Sequence, residues 1–322
     1  MSRKIGSAQT PLTTTQPERV ILDTDIGDDI DDAFALALLV NHPGVQLLGV
    51  TTAWGDTGLR ARLASRFLSI TGNGNIPVYA GLPTTSRAPF TQSRWAQRWP
   101  ETRPVSNQAI SFLLDTIRKY PGQITLLAIA PLSNLGALID KDPTTFHRLK
   151  QVVLMGGSID RGYGNLESEP ARGPNPEYNI QMDPAAARKL LASGVPVFML
   201  PLDSTQLKLD QDRRTLLFSH DTPLTDSLSA LYYQWRSTTQ NATPTLYDAM
   251  AAAYLLQPSL CPMTPMRIQV DPAGYTRAVP GKPNANVCLR SDSAQFFSFF
   301  MRNILRNPGP ARATPAPCDG NP

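Results

Sequence analysis

Short apolar runs alternate with longer amphipathic ones along most of the chain, and their spacing predicts a repeating strand and helix unit. Val20-Ile21-Leu22 is a brief continuous apolar run, the pattern of a strand buried on both faces. Residues 33–40 are apolar on most sides, as a covered helix must be. A second strand follows at 45–52, an amphipathic helix at 59–70 and a third strand at 76–80. After a long loop to about Ser106 the rhythm resumes with a helix at 109–120, a strand at 124–129, a helix at 132–139 and a strand at 152–155. A loop at 156–178 then leads to a helix at 184–193, with Asp183 as cap and Pro184 in its first turn, and a strand at 195–200. Residues 209–256 read as helical throughout, 266–289 as antiparallel strands and 293–305 as a final helix. The expected fold is α/β: a mainly parallel, doubly wound (Rossmann-like) sheet with extra C-terminal helices and a short antiparallel segment.

At 322 residues and 41% hydrophobic content the chain can bury a large core. One domain is expected over 18–306, flanked by a flexible N-terminal segment, 1–17, and a proline-rich disordered tail, 307–322. No run of eighteen apolar residues exists and the start lacks the apolar stretch of a secretory signal, so a soluble, cytoplasmic protein without membrane contact is expected. Cys261, Cys288 and Cys318 cannot build a disulfide framework, although one pair remains possible. A net charge of +4 is mild, and its arginines, Arg60, Arg62, Arg66, Arg94, Arg98 and Arg103 among them, are scattered as on solvated helix faces and loops. Nucleic-acid binding is not supported.

The chemistry concentrates behind the first strand, where six aspartates fall within residues 23–32. Carboxylates this close repel and raise one another's pKa values unless a cation lies among them, and an all-oxygen cluster selects a hard ion such as Ca²⁺ or Mg²⁺. The loop also stands at the carboxyl end of a strand, where open α/β sheets bind ligands. Asp28 or Asp29 could instead simply cap the following helix. An EF-hand fails on spacing: counted from Asp23, Gly27 comes one place early and Phe34 occupies the position of the bidentate Glu. A haloacid-dehalogenase-type phosphatase with Asp23 as nucleophile and Asp25 as acid is a fairer rival, but its later Lys and acidic pair have no convincing match. Further oxygen ligands are sought at other strand ends. Pro131-Leu132-Ser133-Asn134, Glu177-Tyr178-Asn179 and Tyr247-Asp248 at the head of an apolar helix are the candidates.

Together these segments resemble the inosine-uridine-preferring nucleoside hydrolase family. Its members carry a DxDxGxDDA signature, a PLTN-like strand end, MGG, EFN with a following DP, and a late HDxxA helix. Here the counterparts are Asp23-Thr24-Asp25-Ile26-Gly27 with Asp31-Asp32-Ala33, Pro131 to Asn134, Met155-Gly156-Gly157, Glu177-Tyr178-Asn179 with Asp183-Pro184, and Tyr247-Asp248, in that order. The resemblance implies a ribonucleoside hydrolase that uses Ca²⁺. In it Asp25 is a metal ligand and general base toward water, Asp32 a bidentate ligand, Ile129 a carbonyl ligand, and Asp248 closes the shell. Asp31, Glu177, Asn179 and Asn165 hold ribose hydroxyls, and members assemble as dimers or tetramers. The expected chemistry is direct attack by a bound water, with carboxylates stabilising an oxocarbenium-like sugar.

The chain departs from the family pattern in three places. Two extra residues make Asp28-Asp29 and Asp31-Asp32 compete for the paired positions, and Ala33 favours the second pair. Ala130 replaces a Gly. Tyr247 stands where many members place the His that protonates the leaving base, and a phenol with a pKa of about 10 is a weaker acid than imidazolium. Hydrolysis of another ribosylated metabolite and a catalytically inactive Ca²⁺-dependent nucleoside- or sugar-binding protein are the alternatives. Base preference is not legible. Trp54, Tyr163, Tyr232 and Trp235 could border the pocket, although packing is the more common role for such aromatics.

Overall fold

The computed structural model describes residues 16–97, 108–164 and 173–306. Six parallel strands, β1 (Glu18–Thr24), β2 (Val45–Thr52), β3 (Val78–Ala80), β4 (Ile124–Ala128), β5 (Gln151–Met155) and β6 (Val197–Leu200), lie in the order β3-β2-β1-β4-β5-β6. The sheet continues through β9 (Ala285–Cys288), parallel to β6, then β7 (Met263–Val270) and β8 (Thr276–Val279), each antiparallel to its neighbour. The parallel part has the doubly wound order in which the chain reverses direction between β1 and β4, so a crevice opens beyond their carboxyl ends.

Side chains that alternate along the strands divide the core between the two faces. Val20 and Leu22 join one apolar cluster with helices Asp31–Asn41, Thr57–Ile70, Tyr247–Leu256 and Ser293–Ile304. Ile21 joins the other, with helices Ala109–Lys119, Ser133–Lys141 and Pro184–Ala192. Helix Asp31–Asn41 is buried from Asp31 to Leu39, which explains its apolar character on every side. Burying an acidic helix start this deeply fixes the aspartates relative to β1 instead of leaving them in solvent.

Two expectations need correction. Residues 209–256 are not one helix but three, Gln211–Phe218, Pro223–Thr239 and Tyr247–Leu256. Thr222 starts the second with a capping box and Pro223 at its first position, and Gln240 ends it in the left-handed conformation at φ 58°. Asp28 and Asp29 do not cap helix Asp31–Asn41, whose N-cap is Ile30 without a side-chain bond. Asp29 instead accepts a hydrogen bond from the Ile30 N–H at 2.7 Å. Cys261 and Cys288 form a buried disulfide with Cα atoms 5.8 Å apart, joining the entry of β7 to the end of β9. No helix among the described residues is long and apolar enough to cross a membrane.

Candidate active site and metal centre

The crevice beyond β1 and β4 holds a cavity of about 280 Å³, a size that suits one small molecule. Eight of the nine residues expected at the site line it: Asp25, Asp31, Asp32, Ile129, Glu177, Asn179, Tyr247 and Asp248. The ninth, Asn165, lies outside the described residues. Asp28, Asp29, Tyr163 and Tyr178 complete the polar lining, with Met155 and Leu202 beneath.

Each side chain arrives on its own element. Asp25 follows β1 directly, and Gly27 allows the turn, because its φ of 125° and the Phe90 ring, 1.9 Å from where a Cβ would stand, exclude a side chain. Asp31 and Asp32 open helix Asp31–Asn41, and Asp248 opens helix Tyr247–Leu256, which packs beside it. The Asp248 N–H donates to the Asp31 carboxylate at 3.0 Å, and the Thr24 hydroxyl donates to Asp32. Carboxylate oxygens of Asp31, Asp32 and Asp248 lie within 4.8 Å of one another, all buried. The structure thereby groups the Asp31-Asp32 pair with Asp248 and leaves Asp28-Asp29 apart.

Burial raises these three carboxyls well above the usual range, and the charges of their neighbours raise them further. Burial also pushes Asp25 up to about 7, against the pull of the Arg60 guanidinium. Three oxygen donors, crowded and out of water, fit a hard divalent cation, which would relieve both their repulsion and their desolvation.

Glu177 is buried and its carboxyl is lifted to about 7 by that burial. One oxygen accepts from the Asn179 N–H at 2.9 Å, the other from the N–H groups of Gly157, at 2.9 Å, and Ile180, at 3.1 Å. It therefore caps helix Tyr178–Met182 while presenting charge to the cavity. Asn179 donates to the Met155 carbonyl at 3.1 Å, tying that helix to the end of β5. The Tyr163 hydroxyl accepts from the Tyr178 N–H at 3.0 Å, and its ring meets Tyr247 edge-on with centroids 6.3 Å apart. Asp203 fixes the loop carrying Tyr163, accepting from the N–H groups of Ile159, Asp160 and Arg161 at 2.8–3.1 Å. Burial raises the phenols of Tyr163 and Tyr247 above their ordinary value, so neither gives up its proton readily.

Arg60 corrects the reading of the arginines as solvated. It is 1% exposed, and its guanidinium donates to the carbonyls of Trp54 at 2.7 Å and Ile26 at 3.2 Å, to that of Asp25, and to the Asp28 carboxylate at 2.7 Å. The signal was its place on the apolar stripe of its helix, one turn before Ala64 and two before Phe67. Asn134 also differs from expectation. It does not line the cavity but donates to the Asp23 carboxylate at 2.8 Å and the Thr52 carbonyl at 3.1 Å, bracing β1 against β2. Asp23 is fully buried between Asn134 and Thr51 and cannot serve as the nucleophile that a phosphatase would need. Of the four aromatics proposed as pocket neighbours, Tyr163 lines the cavity, while Tyr232 and Trp235 are buried against each other.

Fold and site together define an α/β protein with a buried acidic pocket, able to hold a metal ion, at the carboxyl ends of parallel strands. The chain belongs to the inosine-uridine preferring nucleoside hydrolase family, whose sequence pattern it matches over residues 20–298. It is 36% identical over 200 residues to the Schizosaccharomyces pombe protein C1683.06c, covering 58% of this chain and 62% of that one. It is 30% identical over 276 residues to the pyrimidine-specific ribonucleoside hydrolase RihB of Shigella sonnei, covering 80% and 84%. The first of these matches spans less than two thirds of its relative's length. The purine-preferring ribonucleoside hydrolase from Gardnerella vaginalis shares the fold, with a TM-score of 0.76 at 24% identity over 89% of this chain and 98% of that one.

Proposed function

We infer that the protein is a Ca²⁺-dependent ribonucleoside hydrolase that releases ribose and a free base. The observation that carries this reading is the convergence, in one cavity, of a three-carboxylate cation site with Asp25, Glu177 and Asn179. Asp31, Asp32 and Asp248, with Asp25 and the Ile129 carbonyl, would hold the ion, and when bound it supplies a fixed positive charge that orients the ribose diol and acidifies water.

The remaining work falls to the chain. Asp25 takes the proton of the attacking water. Asp25 is 7% exposed and lines the cavity. Asp31, Glu177 and Asn179 receive the ribose hydroxyls. Glu177, held by three backbone N–H groups, keeps its charge close to the sugar as positive charge develops there. Tyr247 takes the leaving-group side of the cavity as a hydrogen-bond donor.

The test is a reducing-sugar assay on a panel of purine and pyrimidine ribonucleosides, with and without chelation. Chelation should abolish ribose release, and Asp25→Ala should lower it by about 10²-fold or more. Unchanged hydrolysis by Asp25→Ala would sink the mechanism. Ca²⁺ binding without release from any riboside would instead favour the binding-protein reading that the absence of a His beside Asp248 suggests.

A further inference from the structure

Seven carboxylates line the cavity, and Arg60 is the one basic side chain, among the described residues, that contacts any of them. The formal excess of six negative charges falls to four with a divalent cation in place. Arg60 spends its charge on Asp28, leaving Asp29 without a basic partner among the described residues. Asp29 accepts from the neutral Ile30 N–H at 2.7 Å and lines the same cavity as Tyr247. With Asp25, Asp31, Asp32 and Asp248 assigned to the ion, Glu177 to the ribose and Asp28 paired with Arg60, Asp29 is the lining carboxylate left to face the leaving group. The segment between Gly27 and the Asp31-Asp32 pair is also two residues longer than in the family signature.

Apart from its carboxyls, which the ion and the sugar occupy in the reading above, the cavity is short of proton donors as well. No His, Lys or Cys lines it among the described residues, and its hydroxyl groups are the phenols of Tyr163, Tyr178 and Tyr247. A neutral base departs from ribose as an anion and needs a proton to do so. A base that already carries positive charge needs none: the electron pair of the broken C1′–N bond returns to the ring nitrogen and neutralises it. Water supplies the new C1′–O bond, and its proton goes to Asp25.

Resting on the hydrolase reading above, we propose that this cavity selects ribosides whose leaving group carries a fixed positive charge, such as N-alkylated purines or pyridinium rings, and that Asp29 determines that specificity. The carboxylate attracts the charged heterocycle in the ground state, and the electron-pair return removes the need for an acid in the transition state.

The decisive measurement compares inhibitors that differ by one methyl group and one charge and cannot be hydrolysed. With the Ca²⁺-loaded protein, 1-methylnicotinamide should inhibit ribose release competitively with a Ki about tenfold below that of nicotinamide, and Asp29→Asn should bring the two within about twofold. In parallel, the ratio of kcat/KM for 7-methylguanosine over guanosine should fall about tenfold in Asp29→Asn, a comparison that cancels the greater intrinsic lability of the methylated substrate. Should Asp29→Asn not fold, the inhibitor pair on the wild-type protein decides alone. Equal Ki values in the wild type, or a ratio unmoved by Asp29→Asn, overturn the proposal while guanosine hydrolysis leaves the hydrolase reading standing. Absence of ribose release from every riboside overturns both.

Discussion

Replacing Arg60 by methionine keeps much of the side chain's bulk and removes its charge and its hydrogen bonds. The guanidinium serves three carbonyls in the segment around the acidic loop and one carboxylate, and it is itself almost fully buried while Asp28 is 15% exposed. Breaking a buried ion pair from one side costs about 3–5 kcal/mol, because the remaining charge stays uncompensated. Each orphaned carbonyl adds about 1 kcal/mol or more unless water enters from the cavity. Those terms overlap and Asp28 gains some solvent, so a net loss of about 4 kcal/mol is the working figure, a large share of a total of roughly 5–15 kcal/mol. Urea unfolding in the presence of chelator reads it as a lowered midpoint with an unchanged slope. Arg60→Lys should recover only part of the loss, since a point charge cannot serve four acceptors at once. A second consequence follows for function, because the Asp25 backbone is one of the anchored groups: ribose release should fall even at saturating Ca²⁺. An Arg60→Met protein with the wild-type urea midpoint and full activity would refute the claim that this arginine holds the loop.

Four further outcomes are expected. Ca²⁺ at about 100 times its Kd should stabilise the protein by about 2.7 kcal/mol, and Asp248→Ala should remove most of that gain; thermal melts with and without chelator measure both. The Cys261–Cys288 bond closes a loop of 27-residue separation, so its loss in Cys261→Ala should cost about 3.5 kcal/mol, and thiol titration of the denatured, unreduced wild type should find one free cysteine in place of three. Gly157→Ala should cost about 1–3 kcal/mol and disturb the backbone N–H that Glu177 accepts, because φ is 88° and the new Cβ would stand 2.1 Å from the Met199 methyl. Asp142 is held at about 2, first by the Thr145 hydroxyl and N–H and then by Arg118. Its contribution is complete above about pH 4 and is lost as pH falls toward 2, so Asp142→Asn should flatten the acid limb of a stability profile over that interval.

The apolar runs alone determined the parallel order of events along the first 200 residues, since strands buried on both faces must be uniformly apolar and each needs a crossover helix. The acidic run, read with the strand before it and the buried helix after it, located an acidic cavity at a strand end. It left two aspartate pairs in competition. Only packing set the pairs apart: helix Tyr247–Leu256 lies beside helix Asp31–Asn41 and brings Asp248, more than 200 residues away, to Asp31 and Asp32. Likewise, composition made Arg60 one of thirty scattered basic residues, while the fold made it the buried counter-charge of Asp28. Asn134 looked like a ligand because it stands near a strand end, yet its side chain points back to brace β1. The breaks in residues 209–256 depended on caps whose partners lie three residues away and on one left-handed Gln, local events too weak to interrupt an amphipathic pattern. Chemistry that depends on which residues occur in one segment was therefore readable from the chain. Chemistry that depends on which charges meet across segments was decided by tertiary structure, because Coulomb and hydrogen-bond energies act over a few ångströms of space and not over positions in a sequence.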